Sequence, residues 1–314
     1  MRRLKAILLG QFFAQSHKNH TDADRTMHQP VTHTNLKAYQ PPPGFLARWR
    51  RRLIKLVVFA LVAYCLAIAF IWMRQEKLLF HPEPSTPNFK YDLAYTSEVF
   101  IDVPGAKLHA LYLHQPAEQS RGIVLFLHGN AGNLETWFTH AEFWLETGYD
   151  VLMPDYRGFG KSTGKIESEA QLNDDVLRAW NFVAPNYQGK KHVIYGRSLG
   201  TGLATKLASE VSPDLLVLVS AYTSMTAIAH EYYPWVPSAV LRYPLATDQL
   251  LPQLNSKILL LHGTVDKLIP IEHSRQLQKL NPNARMVEIQ GAGHGDIHNF
   301  STYLSTLKEA LGSP

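Results

Sequence analysis

The sequence predicts an α/β domain, a mostly parallel sheet with helices on both faces, preceded by a single transmembrane helix. Three observations carry this. Leu56 to Met73 is an unbroken run without charge behind a cluster of arginines. From about residue 98, short apolar runs alternate with runs of helical spacing. Alternating β and α segments imply a parallel sheet covered on both faces. A serine framed by glycines, in "YGRSLGTG" (Tyr195 to Gly202), falls where one such strand gives way to a helix.

The N-terminal region is set apart by charge. Residues 1–55 hold 11 Lys and Arg against two Asp and Glu, a net of +9, while the remainder carries a net of −4. A basic tail suits nucleic acid or a membrane surface, and the segment that follows decides for the membrane. As a helix, Leu56 to Met73 spans about 27 Å, close to a bilayer core. Arg48, Arg50, Arg51, Arg52 and Lys55 precede it, Trp49 and Trp72 flank it, and only Arg74 and Lys77 lie just beyond. This asymmetry places the tail in the cytoplasm and the C-terminal domain across the membrane, periplasmic in a bacterium. A buried core helix is disfavoured by the all-round apolarity. A cleavable signal peptide, with Ala67-Ile68-Ala69 as its site, is the other alternative. It is disfavoured because the apolar run continues and the leader is long, and a start at Met27 would favour it. The expected organisation is a disordered basic tail (1–52), a transmembrane helix (53–73), a Pro-rich stem (74–97) that holds the domain off the bilayer, and a catalytic domain (98–314). Cys65 is the one cysteine, which excludes an intrachain disulfide and a cysteine-based zinc site.

Within the domain, "EVFIDV" and "KLHALYLH" read as a strand pair around Pro104-Gly105. "GIVLFLHG" is continuously apolar, as in a strand covered on both faces. A helix is predicted over "ETWFTHAEFWLETG". Then follow the strand "DVLMPDY", the helix "EAQLNDDVLRAWNFV", the strand "HVIYG", the helix "LGTGLATKLASE" and the strand "LLVLVSA". After "HEYYPWVPSAVLRYP", expected to form a small cap whose aromatics line an acyl pocket or the core, come "KILLLHG", "EHSRQLQKL", "ARMVEIQG" and "FSTYLSTLKEAL". Sites in such sheets lie at the carboxyl ends of the strands.

The chemistry-bearing residues all fall there. Ser198 opens a helix directly after a strand. On so sharp a turn there is no room for side chains at Gly196 and Gly200, and the hydroxyl is exposed. A serine hydroxyl needs a base. His294, in "GAGH" after the last predicted strand, supplies one, and Asp266, in "HGTVDKLIP", would orient the imidazole and stabilise its charged form. The backbone N–H groups of Asn130, in "LHGNAGN", and Leu199, at the helix start, make a two-donor oxyanion hole. Asp155, Tyr156 and Arg157 are expected to order a nearby loop, His128 and His262 to be structural, and Asp174 and Asp175 to lie on a solvated helix face. His298, four residues after His294, invites a metal reading, but no carboxylate or cysteine pattern joins it. "GFGKSTGK" fails as a phosphate loop because position 155 is aspartate and the strand–loop–helix context is missing. No cofactor, metal or nucleic acid is expected.

In "LHGNAGN", "DYRGFGKS", "GRSLG", "HGTVDKLIP" and "GAGH", in that order over residues 98–311, the chain resembles the α/β-hydrolases. The likeness is to the branch with a short cap and an N-terminal membrane segment, which includes serine aminopeptidase-like bacterial proteins and eukaryotic protein depalmitoylases. It implies a Ser198, Asp266, His294 triad and ester or thioester hydrolysis. Thr201 departs from the second glycine many relatives carry, with little effect expected. The membrane segment points to small-molecule, lipid or acylated substrates. A peptidase using the same triad, and a catalytically silent binding module, are the alternatives.

Overall fold

The structure, a computed structural model, describes Pro42, residues 44–138 and residues 141–312. The tail expected to be disordered falls largely outside these. Helix α1 runs from Phe45 to Leu79 without a glycine or proline to interrupt it. It follows Gly44, whose φ is +80°, and ends two residues before His81-Pro82, where the ring of a proline disfavours helical backbone in the preceding residue. It therefore takes in the end of the expected tail and the start of the expected stem. At 35 residues it is about 52 Å long, more than a bilayer core requires. None of its most apolar 18-residue window is buried, and by length and composition it is long and apolar enough to cross a membrane.

The domain is an eight-stranded sheet: β1 (Thr96–Val103), β2 (Ala106–Leu113), β3 (Gly122–Leu127), β4 (Tyr149–Pro154), β5 (Lys191–Arg197), β6 (Leu215–Val219), β7 (Lys257–Gly263) and β8 (Ala284–Ile289). Their spatial order is β8-β7-β6-β5-β3-β4-β2-β1. The pairs from β4 through β8 are parallel, and β2 runs antiparallel to both β1 and β4. Strand periodicity sorts the core. Along β3, Ile123, Leu125 and Leu127 face one way and Val124 and Phe126 the other. On the first side lie α4 (Glu169–Val183), α5 (Leu199–Val211) and α8 (Glu272–Leu280). The second is covered by α2 (Leu134–Trp137), α3 (Ala141–Thr147) and α9 (Ser301–Ala310). Each fully buried aliphatic side chain contributes about 1.5–3 kcal/mol.

Three expectations are corrected. The single helix predicted over 135–148 is two short ones, α2 and α3, and Phe138 between them has non-helical φ −92° and ψ 61°. Asp174 is exposed and pairs with Arg178, as expected of a solvated face, but Asp175 is buried. Both of its oxygens accept from Arg157, at 2.5 and 2.8 Å, which explains why a carboxylate is tolerated there. The stem, lastly, is not a free extended segment, because residues 81–84 lie on the domain. His81–Pro82 adds a short parallel strand to Ala131–Gly132. The His81 and Glu83 N–H groups donate to Asn130 O and Gly132 O, and Gly160 N–H donates back to Glu83 O. Pro82 and Pro84 have no N–H to place, so they sit in this edge without cost to the ladder.

The cap lies between β6 and β7 and contains α6 (Met225–Tyr232) and α7 (Thr247–Leu250). Ser224 caps α6 by accepting from Ala227 N–H at 3.0 Å. Tyr232, Tyr233 and Trp235 are exposed, neither buried in the core nor lining a pocket around Ser198.

Candidate active site

Ser198 sits between β5 and α5 with φ 53° and ψ −121°, a conformation costly for a non-glycine residue. The turn survives because its neighbours have no side chains. A Cβ on Gly196 would lie 2.5 Å from Gly200 O, and one on Gly200 would lie 2.1 Å from Leu127 O. These clashes are with backbone and cannot be relieved by a rotamer change. Ser198 N–H donates to Val219 O at 2.9 Å, and the Thr201 hydroxyl donates to Ser198 O at 2.7 Å. Thr201 is fully buried, so its hydroxyl adds a tie to the strained residue.

The three residues predicted to act together are brought together. His294 Nε2 is 3.1 Å from Ser198 Oγ, and His294 Nδ1 is 2.8 Å from Asp266 Oδ2. The other oxygen of Asp266 accepts the Leu268 and Ile269 N–H groups, each at 2.9 Å. Burial alone would raise the Asp266 carboxyl. The imidazoles of His262 and His294 and the Ile269 N–H outweigh it and hold the group well below the usual carboxylate range. His262, expected to be structural, bonds Ile269 O at 2.9 Å and Ser274 Oγ at 2.7 Å, which fixes the loop that carries Asp266.

The two predicted backbone donors lie in the loop after β3 and at the start of α5. Leu199 N–H is the first of α5, ahead of the intrahelical ladder. Asn130 lies on the pocket wall with Gly129 and Ala131. Its carbonyl accepts from His81 N–H at 2.8 Å, and its side-chain amide donates to Leu79 O at 3.0 Å. The end of α1 thus fixes this loop, a contact across some fifty residues that no local pattern signals. Beneath it, Asp155 is fully buried, with His128 Nε2 3.3 Å and His109 Nδ1 3.9 Å away. Tyr156 donates to His128 O at 2.8 Å. The role expected of Asp155 and Tyr156, ordering the loop near the site, matches these contacts.

Arg197 was missed. Its guanidinium donates to His294 O at 3.0 Å and Gly295 O at 3.2 Å, approaches His298 Nδ1 at 3.2 Å, and lies over the Trp137 ring. A charged residue closing an apolar strand just before the serine was the available signal. His298 thus serves this cluster, and among the described residues no His, Cys, Asp and Glu group is arranged to hold a metal.

A cavity of about 430 Å³ opens at Ser198 and His294. It runs past Trp137 to Phe138, Phe143, Trp144 and Leu304, on the α2, α3 and α9 side of the sheet. The aromatic surface expected from the cap is thus supplied from elsewhere.

Comparison with known proteins gives the same fold. Residues 118–247 match the family described as serine aminopeptidase, S33, and residues 243–299 match the one described as alpha/beta hydrolase fold. An uncharacterized protein of Mycobacterium tuberculosis is 30% identical over 254 residues, 78% of this chain and 89% of that protein. The chain is an α/β-hydrolase. Human alpha/beta hydrolase domain-containing protein 17C is 30% identical to this hydrolase over 202 residues, 62% of this chain and 59% of the human protein. Among solved structures, an esterase of Pyrococcus furiosus superposes with a TM-score of 0.60 at 23% identity, covering 74% of this hydrolase and 97% of the esterase.

Proposed function

We propose that the chain is a membrane-anchored serine hydrolase that cleaves carboxylic ester or thioester bonds through an acyl-enzyme. The observation that carries the reading is the unbroken line Asp266–His294–Ser198, at 2.8 and 3.1 Å, opening on an apolar cavity. Ser198 Oγ attacks the acyl carbonyl as its proton passes to His294 Nε2. Asp266 holds the imidazole and stabilises the imidazolium. The oxyanion of the tetrahedral intermediate takes the N–H groups of Asn130 and Leu199. His294 returns the proton to the leaving group, and a water molecule, activated the same way, releases the acid. The chain's own side chains and backbone, together with water, supply each step. Residues 53–73 form the anchor, 1–52 the cytoplasmic tail, and 98–314 the catalytic domain on the far side.

An acyl ester is favoured over an aminoacyl substrate by the pocket wall. An aminopeptidase needs an anionic group for the substrate's ammonium, whereas among the described residues the charged or ionisable side chains lining this cavity are Arg197, His294, His298, Tyr195 and Tyr303, with no Asp or Glu. The test is covalent labelling by a fluorophosphonate, with wild type compared to Ser198→Ala and His294→Ala, followed by turnover of p-nitrophenyl esters against aminoacyl anilides. Labelling lost in both variants, with esters preferred, is the expected result. Labelling retained in Ser198→Ala would end the proposal, and anilides preferred would return it to a peptidase. A reporter fused after Pro314 should be active only outside the cytoplasm.

A further inference from the structure

We propose that the cap is itself a membrane element: Tyr232 to Leu241 dips beside α1 into the leaflet on the catalytic side. This rests on the reading of α1 as a membrane anchor. The cap and the anchor run alongside each other. Tyr64 donates to Trp235 O at 3.1 Å and its ring packs edge-on against the Trp235 ring. Gln75 donates to Val240 O and accepts from Arg242 N–H, both at 2.8 Å. Arg242 pairs with Glu76, and Tyr243 donates to the same carboxylate at 2.8 Å.

The depth follows from helix geometry. Tyr64 precedes Met73, the last residue of the uncharged run, by nine positions, about 14 Å along the axis. Helical side chains lean toward the N-terminus, so the hydroxyl lies no nearer the interface than its own Cα. One leaflet's hydrocarbon is about 15 Å thick. With Met73 at the interface, Trp235 is deep in that leaflet. Raising the helix until Trp235 reached water would leave only Leu56 to Tyr64 in hydrocarbon, nine residues and about 14 Å, too short for a core of about 30 Å. Filling that core from the N-terminal side would drag Arg48, Arg50, Arg51, Arg52 and Lys55 into it, and lowering the helix would bury Arg74 and Lys77 and only deepen Trp235.

The cap's composition suits that place. Between Glu231 and Arg242 lie ten residues without charge, YYPWVPSAVL. Tyr232, Tyr233 and Trp235 are 48, 57 and 49% exposed, an aromatic surface that water would not favour. Irregular backbone in hydrocarbon must have its polar groups met. Here Pro234 and Pro237 have no N–H, Val236, Val240 and Leu241 N–H bond within the segment, and Tyr64 and Gln75 meet the Trp235 and Val240 carbonyls. In return, the phenol and amide of the anchor, costly if unpaired near lipid, are satisfied. The Tyr232 hydroxyl donates to Leu268 O at 3.0 Å, and Leu268 lines the cavity at Ser198. The immersed cap therefore leads from lipid to the mouth of the site.

The test uses the full chain in phosphatidylcholine nanodiscs, with Cys65→Ala as background and one nitroxide at a time on Leu66→Cys, Trp235→Cys or Glu118→Cys. Accessibility to oxygen, which concentrates in lipid, is compared with accessibility to an aqueous nickel chelate. Position 235 is expected to match position 66, with an oxygen-to-nickel ratio several-fold above that at 118. A ratio at 235 equal to that at 118, with 66 still in lipid, overturns the inference and leaves the anchor standing. Water at both 66 and 235 removes the anchor and the inference with it. Labelling by the fluorophosphonate, measured on the same samples, reports the catalytic reading separately.

Discussion

Two buried aspartates, Asp266 and Asp155, each lie beside two histidines, and only Asp266 is joined through one of them to a serine hydroxyl. Both side chains are fully buried. Burial would raise both carboxyls, and the neighbouring imidazoles hold both below the ordinary range. The difference lies one atom further out. His294, beside Asp266, is 22% exposed at its side chain, and its second nitrogen reaches Ser198 Oγ at the cavity mouth. His109 and His128, beside Asp155, are wholly buried. His109 Nε2 meets Glu98 at 2.8 Å and His128 Nδ1 meets Gly129 O at 2.7 Å, so neither faces a nucleophile. A carboxylate and an imidazole become a relay only where the far nitrogen has an exposed hydroxyl to work on. Elsewhere the same pair is a clamp.

The largest effects should come from breaking the relay. Ser198→Ala and His294→Ala should each lower kcat by 10⁴-fold or more, and Asp266→Asn by on the order of 10⁴-fold, since the amide would hold the wrong tautomer. Ester hydrolysis measured at saturation checks all three. Asp155→Asn should behave in the opposite way. It should retain most of kcat and cost about 2 kcal/mol of stability, which lowers the unfolding midpoint by roughly 4–8 °C. A thermal melt alongside the ester assay separates the two aspartates. A loss of kcat comparable to that of Asp266→Asn would show that the second site is no clamp.

The pH dependence sharpens the same contrast. A carboxyl whose folded value lies below its unfolded value, about 3.9 for aspartate, stabilises the fold above that unfolded value. The stabilisation is lost as pH falls through the folded value. The stability gap between wild type and Asp155→Asn should thus be constant above about pH 5 and close progressively below about pH 4. Denaturation midpoints across that window check it, and a gap that widened on acidification would reverse the sign.

The proposed relay was legible in the sequence because its parts sit at strand ends in a fixed chain order, and because Gly196 and Gly200 mark the turn they make possible. The clamp was legible only in outline. Asp155 and Tyr156 open the motif "DYRGFGKS", but the approach of His109 and His128 depends on strands paired across the sheet. The same physics hid the burial of Asp175. Local spacing placed it on a helix face, and only Arg157, 18 residues earlier in the chain, makes that face habitable for a charge. The stem misled for a related reason: prolines forbid donors, and that reads as an extended spacer, but His81 and Glu83 between them still donate to the Asn130 loop.

Arg197 lies between relay and clamp. It touches His294 only through backbone, by donating to His294 O and Gly295 O, and so holds the loop without joining the proton path. Lysine keeps the charge but has no planar fork to span two carbonyls while stacked on Trp137. Arg197→Lys should therefore lower kcat by about tenfold, the equivalent of one charged hydrogen bond of about 1.4 kcal/mol. KM for a short ester should stay nearly unchanged, and steady-state kinetics separates the two constants.

The smallest effect should be at Thr201. Its hydroxyl donates to Ser198 O at 2.7 Å, but the Thr201 backbone N–H reaches the same oxygen at 2.9 Å. Thr201→Val keeps the shape and removes one of two donors, so the carbonyl is still paired. The expected cost is about 1 kcal/mol or less in stability, with kcat close to wild type. A melt and an ester assay on this variant test whether the strained serine is held by the glycines around it, as the clashes at Gly196 and Gly200 imply, or by the threonine. A drop in kcat matching that of Arg197→Lys would assign part of the turn's rigidity to the Thr201 hydroxyl.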